Sequence, residues 1–444
     1  MEYKVALCIP TYERSDMIED FLIKCSSYYI QEGIDIYYFD SSVSDETENL
    51  INSWPEKEHL FYLRFPSEVE GDEKACLIYQ CYGLKREYDF IWLSNDSYQI
   101  QPETLHLLMT NLIPEYDMVN ITPQKQDYDH NGLRVFTDPE DYFWACLYNV
   151  GRYGNAIVNR KTMLEGIDWD NYKYLFHNHE IQAFGNTMFY FTRLSELDHM
   201  RALYIPFFSS ELRDSTLKKA SNWRRNMFRI WCDSWVKAVE QMPDTYKNKK
   251  AIIFKFTSNM CMHDYKDFVK YRIEGIFDRH QYEKYKEVWE RVTPTNKAII
   301  WLISIFPRII LTLPRRVMIK ARMIGFKRFY NRHPRIYIYG TSAGGYRYDL
   351  FLNKYGYKYE GFCCSQKTEN QSRYCQHPVY ELNELSDDFS NIGFIIAMQD
   401  ENYNRVKQDL KRLGCKYFRD SKLENLFSFE LGYCGDSWFI GKIR

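Results

Sequence analysis

The chain has 444 residues, and its 58 Lys and Arg nearly balance 60 Asp and Glu, which excludes the strongly basic surface of a nucleic-acid-binding protein. The length is enough for two or three domains. A strand pattern begins by residue 5, so no signal peptide is predicted, and the sequence lacks the long uncharged apolar run of a membrane span. Twelve cysteines without metal-site spacing indicate reduced thiols and a cytoplasmic location.

Three apolar strand patterns near the amino terminus each end in polar or acidic residues. The strands and the segments that follow them are Val5–Ile9 with 10–13, Ile34–Phe39 with 40–45, and Tyr88–Leu93 with 94–97. Helix patterns lie between these strands, so a largely parallel sheet is predicted. Because open α/β folds bind ligands at the carboxyl ends of such strands, we expect a nucleotide-diphosphate site where the three segments meet.

The same patterns predict the other elements of this first region. Ser15 is expected to cap a helix that extends to Tyr29. Further helices are predicted from Asp45 and, after Pro102, over 104–112. Further strands are predicted over 118–122, 156–158 and 202–207.

The middle of the chain has the periodicity of helices. Apolar and aromatic residues repeat there at intervals of three and four, at Met227, Trp231, Trp235, Ala238 and Met242. Such a stripe predicts a helix face that packs against the protein core. An aromatic wall that binds an acceptor sugar is the alternative interpretation.

A basic and apolar segment covers about 296–330. The stretch 291–335 contains eleven Lys or Arg and no Asp or Glu, and its apolar run over 298–313 is interrupted by Pro307 and Arg308. The run is too short to span a bilayer, but apolar residues beside many cations are typical of a segment that lies on anionic lipid. The alternative is a helical hairpin that packs on the first region with its basic face in water.

The α/β pattern returns in the last part of the chain. A strand over 335–339 is followed by a glycine loop over 340–345 and by a helix. The loop is not G-x-G-x-x-G, and the next strand ends in Cys363 and Cys364 instead of an acidic residue that binds a ribose, so NAD is not expected. A small Rossmann-like domain is predicted, with nucleotide-sugar sensing, protein docking and a purely structural role as open alternatives.

Three motifs of the first region resemble those of family 2 glycosyltransferases with the GT-A fold. They are I-P-T-Y-E at 9–13, similar to P-x-Y-N; F-D-S-S-V-S-D-E-T at 39–47, similar to D-D-G-S-x-D-x-T; and L-S-N-D-S at 93–97, where D-x-D is expected. The resemblance covers about residues 3–215. The predicted α/β organisation is a GT-A domain over 1–220, a helical extension over 221–332 and the Rossmann-like domain over 333–444.

The resemblance implies roles for individual residues at the predicted edge of the sheet. Those expected to bind the nucleotide are Pro10, Thr11, Tyr12, Glu13, Asp40, Lys74 and Asn95. Asp96 is expected to hold Mg²⁺ or Mn²⁺ across the two phosphates, because hard cations prefer oxygen ligands. Ser94 and Asn95 replace the second carboxylate of the motif, and Asp214 stands where many members have a metal-binding His. A turn residue at Asp96 and an ordinary exposed lysine at Lys74 are the alternatives.

The resemblance also implies a general base some distance beyond the metal motif. An inverting transfer needs a carboxylate that accepts the proton of the attacking hydroxyl, and Glu180 is the candidate. Gly154 is expected beside the donor sugar, and His179 near the acceptor. The alternatives are a solvated helix-start residue at Glu180 and a structural loop residue at His179.

The implied reaction moves a single sugar from a nucleotide-sugar, a UDP-sugar, to a lipid-linked or surface-polysaccharide precursor with inversion. The Q-x-x-R-W motif of processive members is absent, which favours addition of one sugar. Peripheral attachment to the cytoplasmic face of the cell membrane is expected. A non-catalytic protein that binds a sugar nucleotide or glycan is the alternative function, and an oxidoreductase or epimerase in the last domain is a third.

Overall fold

The part of the chain that the structure describes contains two large sheets, a two-stranded ribbon and an intervening set of helices. The computed structural model describes residues 4–96, 98–121, 133–181, 184–205, 210–212, 225–341, 343–366, 373–385, 389–398 and 400–418. The strands of the first half are β1 (Val5–Thr11), β2 (Ile34–Asp40), β3 (Leu60–Arg64), β4 (Phe90–Leu93), β5 (Tyr98–Ile100), β6 (Met118–Ile121), β7 (Arg134–Phe136), β8 (Ala156–Asn159), β9 (Ala202–Ile205) and β10 (Ser210–Leu212).

Eight of these strands form one mixed sheet in the order β3-β2-β1-β4-β8-β6-β9-β7, and β5 pairs with β10 in a separate antiparallel ribbon. Strands β3, β2, β1 and β4 are parallel, whereas β8 runs antiparallel to both β4 and β6. Residues of β2 and β4 are buried along their whole length, as expected for strands covered on both faces. The predicted mixed α/β fold class is confirmed.

Helices cover this sheet on both faces. They are α1 (Ser15–Gln31), α2 (Glu46–Ser53), α3 (Gly71–Tyr79), α4 (Pro102–Asn111), α5 (Pro139–Val150), α6 (Arg160–Met163), α7 (Lys173–His177) and α8 (Gly185–Glu196). The prediction that Ser15 caps α1 is wrong, because Arg14 occupies the cap position and the Ser15 hydroxyl donates to Glu46 at 2.7 Å. The first turn of α1 thereby connects to the start of α2.

The middle of the chain is helical, as predicted. Its helices are α9 (Met227–Arg229), which continues through a π-helical turn over Ile230–Ser234 into α10 (Trp235–Glu240), then α11 (Lys249–Met260), α12 (Tyr265–Glu274), α13 (Arg279–Lys284), α14 (Trp289–Val292), α15 (Lys297–Ile305) and α16 (Arg308–Arg332). All five members of the predicted apolar stripe are buried, and the rings of Trp231 and Trp235 contact Phe184. The stripe is therefore a core face.

The basic apolar segment forms α15 and α16, which are separated at Phe306 and Pro307. Both helices contact α12, so the segment packs on the helical region at least along part of its length. None of the helices in the described part of the chain combines the length and the apolar character needed to cross a membrane.

A second sheet follows. Its strands are β11 (Arg335–Tyr339), β12 (Gly361–Cys364), β13 (Arg373–Tyr374), β14 (His377–Glu381), β15 (Ile392–Ile396) and β16 (Lys416–Phe418), and its helices are α17 (Ala343–Lys354) and α18 (Asp400–Arg412). The strand order is β13-β14-β12-β11-β15-β16, with β13 as its antiparallel member. A Cβ atom at Gly345 would collide with the carbonyl oxygen of Gly340, so glycine lets α17 approach the end of β11 closely. The domain boundaries near residues 220 and 332 stay a prediction.

Candidate nucleotide-diphosphate site

The carboxyl ends of β1 and β4 form a crevice at the point where the strand order reverses. From β1 the chain proceeds to β2 and β3 on one side, and then returns to β4 on the other side of β1. Such a switch point is the usual ligand site of open α/β sheets. The segment 10–13 lies at this edge after β1, Ser94, Asn95 and Asp96 follow β4, and the segment after β2 is hydrogen-bonded to Glu13, so the structure brings the three predicted motifs together.

Asp96 forms an ion pair at this edge. Its Oδ1 accepts a hydrogen bond from Nη1 of Arg14 at 2.6 Å, and the side chains are 5% and 30% exposed, respectively. A buried carboxylate is costly without a compensating charge, and the guanidinium supplies that charge. Asp96 is therefore a buried ionic group at a sheet edge. A residue that only forms a turn would not need a buried ion pair.

Lys74 lies in α3 with its ammonium group inside the site. The residue is 3% exposed, and Nζ donates to the carbonyl oxygen of Thr11 at 2.6 Å. Burial lowers the pKa of Lys74 to about 8, although the nearby carboxylates of Asp40 and Asp96 favour the charged form. The alternative of an ordinary exposed lysine is wrong, and the interaction of Lys74 with a diphosphate stays a prediction.

The lowered pKa of Lys74 predicts a pH dependence of nucleotide binding. Below about pH 8 the ammonium is charged and attracts the diphosphate, whereas above that pH binding must take up a proton. We expect UDP affinity, measured by calorimetry, to fall by up to about tenfold per pH unit between pH 8 and about 9.5. Lys74→Arg retains its charge over this range and should flatten the profile. Equal profiles for both proteins would contradict the assignment.

Asp40 ends β2 and is fully buried. Its Oδ1 accepts hydrogen bonds from the backbone N–H of Ser42 at 2.9 Å and from its hydroxyl at 2.5 Å, and its Oδ2 accepts from the hydroxyl of Tyr62 at 3.0 Å. Burial, and then the charge of Asp40, raise the pKa of Tyr62, so that hydroxyl remains a donor. In this conformation Asp40 stabilises the loop after β2, and its direct contact with a base or ribose stays a prediction.

Glu13 connects the loops that follow β1 and β2. Its carboxylate accepts hydrogen bonds from the backbone N–H groups of Val43 at 2.6 Å and Ser44 at 3.2 Å, and its own N–H donates to the Ser42 hydroxyl. The backbone of Glu13 has a φ of 51°, a left-handed conformation that costs energy for a non-glycine residue. The neighbouring Tyr12 is 51% exposed, so its ring is available to a ligand.

Gly154 lies against the segment that follows β4. Its N–H donates to the carbonyl oxygen of Leu93 at 2.8 Å, and a Cβ atom would lie 3.4 Å from the Ser94 hydroxyl and 3.7 Å from the Asn95 side-chain nitrogen. Asn95 also donates to the carbonyl oxygen of Tyr153 at 2.7 Å. The structure thus brings Gly154 and Asn95 together, as expected of residues that share a site.

Of the remaining predicted residues, the structure describes Glu180 and His179. Glu180 follows α7, its carboxylate is 62% exposed, and it pairs with Lys237 at 3.1 Å. His179 beside it is exposed. Within the described residues, Glu180 forms hydrogen bonds with Lys237 and Asn178 and not with Asp96. Asp214 lies outside the described residues, so its role as a ligand stays a prediction.

The described residues offer few protein ligands for Mg²⁺ or Mn²⁺. Among the residues that the structure describes, no three His, Cys, Asp or Glu side chains cluster closely enough to hold a metal ion. Mg²⁺ is nevertheless often held by one carboxylate together with substrate phosphates. Asp96 fits that arrangement, so an ion would depend on the donor for most of its ligands.

Arg14 is the site residue that the motifs did not indicate. It directly follows the segment 10–13, so a cation immediately after the first motif could have indicated Arg14 from the sequence alone. Its contact with Asp96 joins residues 82 positions apart, which only the pairing of β1 with β4 establishes.

No protein-family model and no curated protein matches the chain. Among solved structures it is similar to residues 1–349 of TarS from S. aureus, with 13% identity over 57% of this chain and 70% of that chain and a TM-score of 0.38. It is also similar to the mannosyltransferase PcManGT from Pyrobaculum calidifontis in complex with GDP-Man and Mn²⁺, with 15% identity over 57% of this chain and 70% of that chain and a TM-score of 0.39.

Likeness at these scores assigns neither a substrate nor a residue role. The strand order around β1, with the motifs at the carboxyl ends of β1, β2 and β4, is the observation that decides the fold. The first sheet has the GT-A arrangement. The resemblance predicted from the three motifs is therefore confirmed at the level of fold.

Proposed function

We propose that the protein is a glycosyltransferase that moves a single sugar from a UDP-sugar to a lipid-linked or surface-polysaccharide precursor, with inversion at the anomeric carbon. The observation that supports this most strongly is the charge arrangement at the switch point. Lys74 and Arg14 provide two cations within reach of Asp96, and the exposed ring of Tyr12 lies on the same loop as Arg14. A nucleoside diphosphate needs such cations for its phosphates and a surface for its base.

In this proposal, different residues of the site bind the diphosphate and the base of the donor. The buried ammonium of Lys74 contributes a fixed charge, because its hydrogen bond to Thr11 holds it in place. Tyr12 is available for stacking with the base. The loop that carries Tyr12 is joined to the loop after β2 by the hydrogen bonds of Glu13 and Ser42, and Thr11 holds Lys74, so the diphosphate would meet a preorganised charge at Lys74.

The cofactor in this proposal is Mg²⁺ or Mn²⁺, which would be held by Asp96 and the donor diphosphate, with Asp214 as a further candidate ligand. When bound, the ion supplies positive charge for the departing diphosphate. NAD has no part in the reaction.

Glu180 is the proposed general base. The acceptor hydroxyl oxygen forms a bond to the anomeric carbon, the bond between that carbon and the diphosphate breaks, and the hydroxyl proton moves to the Glu180 carboxylate. Nucleoside diphosphate leaves with the bonding electrons, and Lys74 stabilises the charge that develops on it. Helix α7, which ends three residues before Glu180, packs against α3, which carries Lys74. Gly154 and His179 are proposed to lie beside the donor sugar and the acceptor.

An apolar surface supports an acceptor at the cytoplasmic face of the membrane. We call it the junction surface, and its members are 37–62% exposed: Ile299, Trp301, Leu302, Ile305, Phe306, Ile309 and Ile310. They surround the break between α15 and α16, within the stretch that has eleven Lys or Arg and no Asp or Glu. Apolar side chains among cations are suited to an anionic lipid surface, which would bind the protein peripherally.

Binding to lipid vesicles tests the junction surface. We expect the full chain to co-sediment with phosphatidylcholine–phosphatidylglycerol vesicles, and the double variant Leu302→Glu/Ile309→Glu to bind at least about tenfold more weakly. Ile23 is 60% exposed on α1 and provides the control Ile23→Glu, which should bind as the unmodified protein does. Equal binding of all three proteins would exclude the junction surface as the lipid contact.

Consumption of the donor tests the proposed reaction. The full chain is incubated with Mn²⁺, a panel of UDP-sugars and bacterial membrane extract, while release of UDP and the anomeric configuration of the product are followed by NMR. Release that requires the extract, with an inverted product, is expected. Tight UDP binding without consumption under any acceptor condition would instead support a non-catalytic sugar-nucleotide-binding protein.

A further inference from the structure

The ion pair between Arg14 and Asp96 occupies one of the two carboxylate oxygens that Asp96 could offer to a divalent ion. Nη1 of Arg14 lies 2.6 Å from Oδ1 of Asp96. A divalent ion binds carboxylate oxygen at about 2.0–2.2 Å and would meet the guanidinium at close range. Two cations this close repel each other strongly in a partly buried site. Arg14 and the ion therefore cannot share this oxygen in the observed arrangement.

The two cations of the site differ in their freedom to move. Lys74 is 3% exposed and donates to a backbone carbonyl of β1, so it has little room to move. The side chain of Arg14 is 30% exposed, and it extends from a backbone that is held on one side by α1 and on the other by the hydrogen bonds of Glu13. A long side chain on a fixed backbone can change its partner without unfolding the loop.

We propose that Arg14 is the resident counterion of Asp96 in the donor-free protein and moves to the donor diphosphate when a divalent ion takes its place. This inference rests on the proposed nucleotide site. The planar guanidinium suits the phosphate oxygens because it donates two parallel hydrogen bonds. The buried Asp96 carboxylate is compensated in both states, first by Arg14 and then by the ion. The ion and the donor accordingly enter the site together.

Binding of Mn²⁺ to the nucleotide-free protein tests the exclusion. Electron paramagnetic resonance measures free Mn²⁺ in titrations of the full chain and of Arg14→Gln, which retains a polar side chain but loses the charge. We expect about tenfold tighter Mn²⁺ binding in Arg14→Gln, because the competing cation is gone. Arg14→Lys retains a charge and should bind Mn²⁺ as the unmodified protein does.

A matched ion pair at the opposite edge of the sheet provides the control. Arg86 is 42% exposed and pairs at 2.9 Å with Asp35, which is 7% exposed at the amino end of β2. Arg86→Gln also removes a cation from a buried carboxylate, and it should leave Mn²⁺ binding unchanged. Thermal denaturation of all variants shows how much stability each loses, and a purely structural Arg14 would lower stability without any change in Mn²⁺ affinity.

UDP binding in the presence of Mn²⁺ tests the second half of the proposal. With Mn²⁺ at a concentration that saturates every variant, calorimetry should show about tenfold weaker UDP binding for Arg14→Gln and a smaller loss for Arg14→Lys, which lacks the planar guanidinium. Unchanged Mn²⁺ affinity in Arg14→Gln overturns the exclusion, and unchanged UDP affinity of Arg14→Gln in saturating Mn²⁺ overturns the transfer to the diphosphate. Failure of the unmodified chain to bind UDP or GDP even with Mn²⁺ overturns the proposed function, whereas the Mn²⁺ titrations still decide the exclusion.

Discussion

Replacement of Asp96 by Asn lowers the rate of sugar transfer by about a thousandfold, the size of effect expected when electrostatic stabilisation of a leaving group is lost. Asn has the shape of Asp but no charge. The substitution removes the one carboxylate that the segment 94–97 offers to a divalent ion, and it leaves Arg14 without its partner at 2.6 Å. The loss should appear mainly in kcat, because the ion stabilises the departing diphosphate more than the bound donor.

The control for this substitution is Asp35→Asn. Asp35 is also a buried carboxylate, and it pairs with Arg86 at 2.9 Å, but it lies at the amino end of β2. Both variants should unfold at lower temperature than the unmodified protein, since each breaks a buried ion pair. Only Asp96→Asn should lose turnover per folded molecule, measured as release of UDP. Equal turnover in the two variants would remove Asp96 from the catalytic site.

Replacement of Glu180 by Gln lowers turnover by about 10²–10⁴-fold if its carboxylate is the general base. The affinity for the donor should not change, because in the described residues Glu180 is hydrogen-bonded to Lys237 and Asn178 and not to the residues proposed to bind the diphosphate. The expected signature is thus a loss of kcat with an unchanged dissociation constant for UDP.

Glu165→Gln is the matched control for Glu180. Glu165 is 46% exposed and pairs with Arg160 at 2.9 Å, so it has the exposure and the ionic partner of Glu180 without its position after α7. The control should retain full turnover. If Glu180→Gln retains it as well, the proton acceptor is another residue, while the assignments of Asp96 and Lys74 remain unaffected.

The strands that carry the site were predictable because their signals are local. The apolar runs before 10–13, 40–45 and 94–97 each form a strand in the structure, and the acidic residue after each run lies near a carboxyl end. The buried stripe of the helical region followed from periodicity in the same way. The cap of α1 did not, because Arg14 occupies the cap position and the Ser15 hydroxyl donates to Glu46.

The sequence by itself determined which residues are available to a candidate donor site. Strand length, burial and the polar groups at strand ends all depend on residues that are adjacent in the sequence. The tertiary structure decided their partners. Strand order placed Asp96 next to Arg14, and helix packing placed the Lys74 ammonium on the Thr11 carbonyl, 63 positions away. Such contacts depend on which strands pair and on how far a helix is buried, and these are properties of the whole sheet. For that reason the lone carboxylate of the metal motif proves to be half of an ion pair.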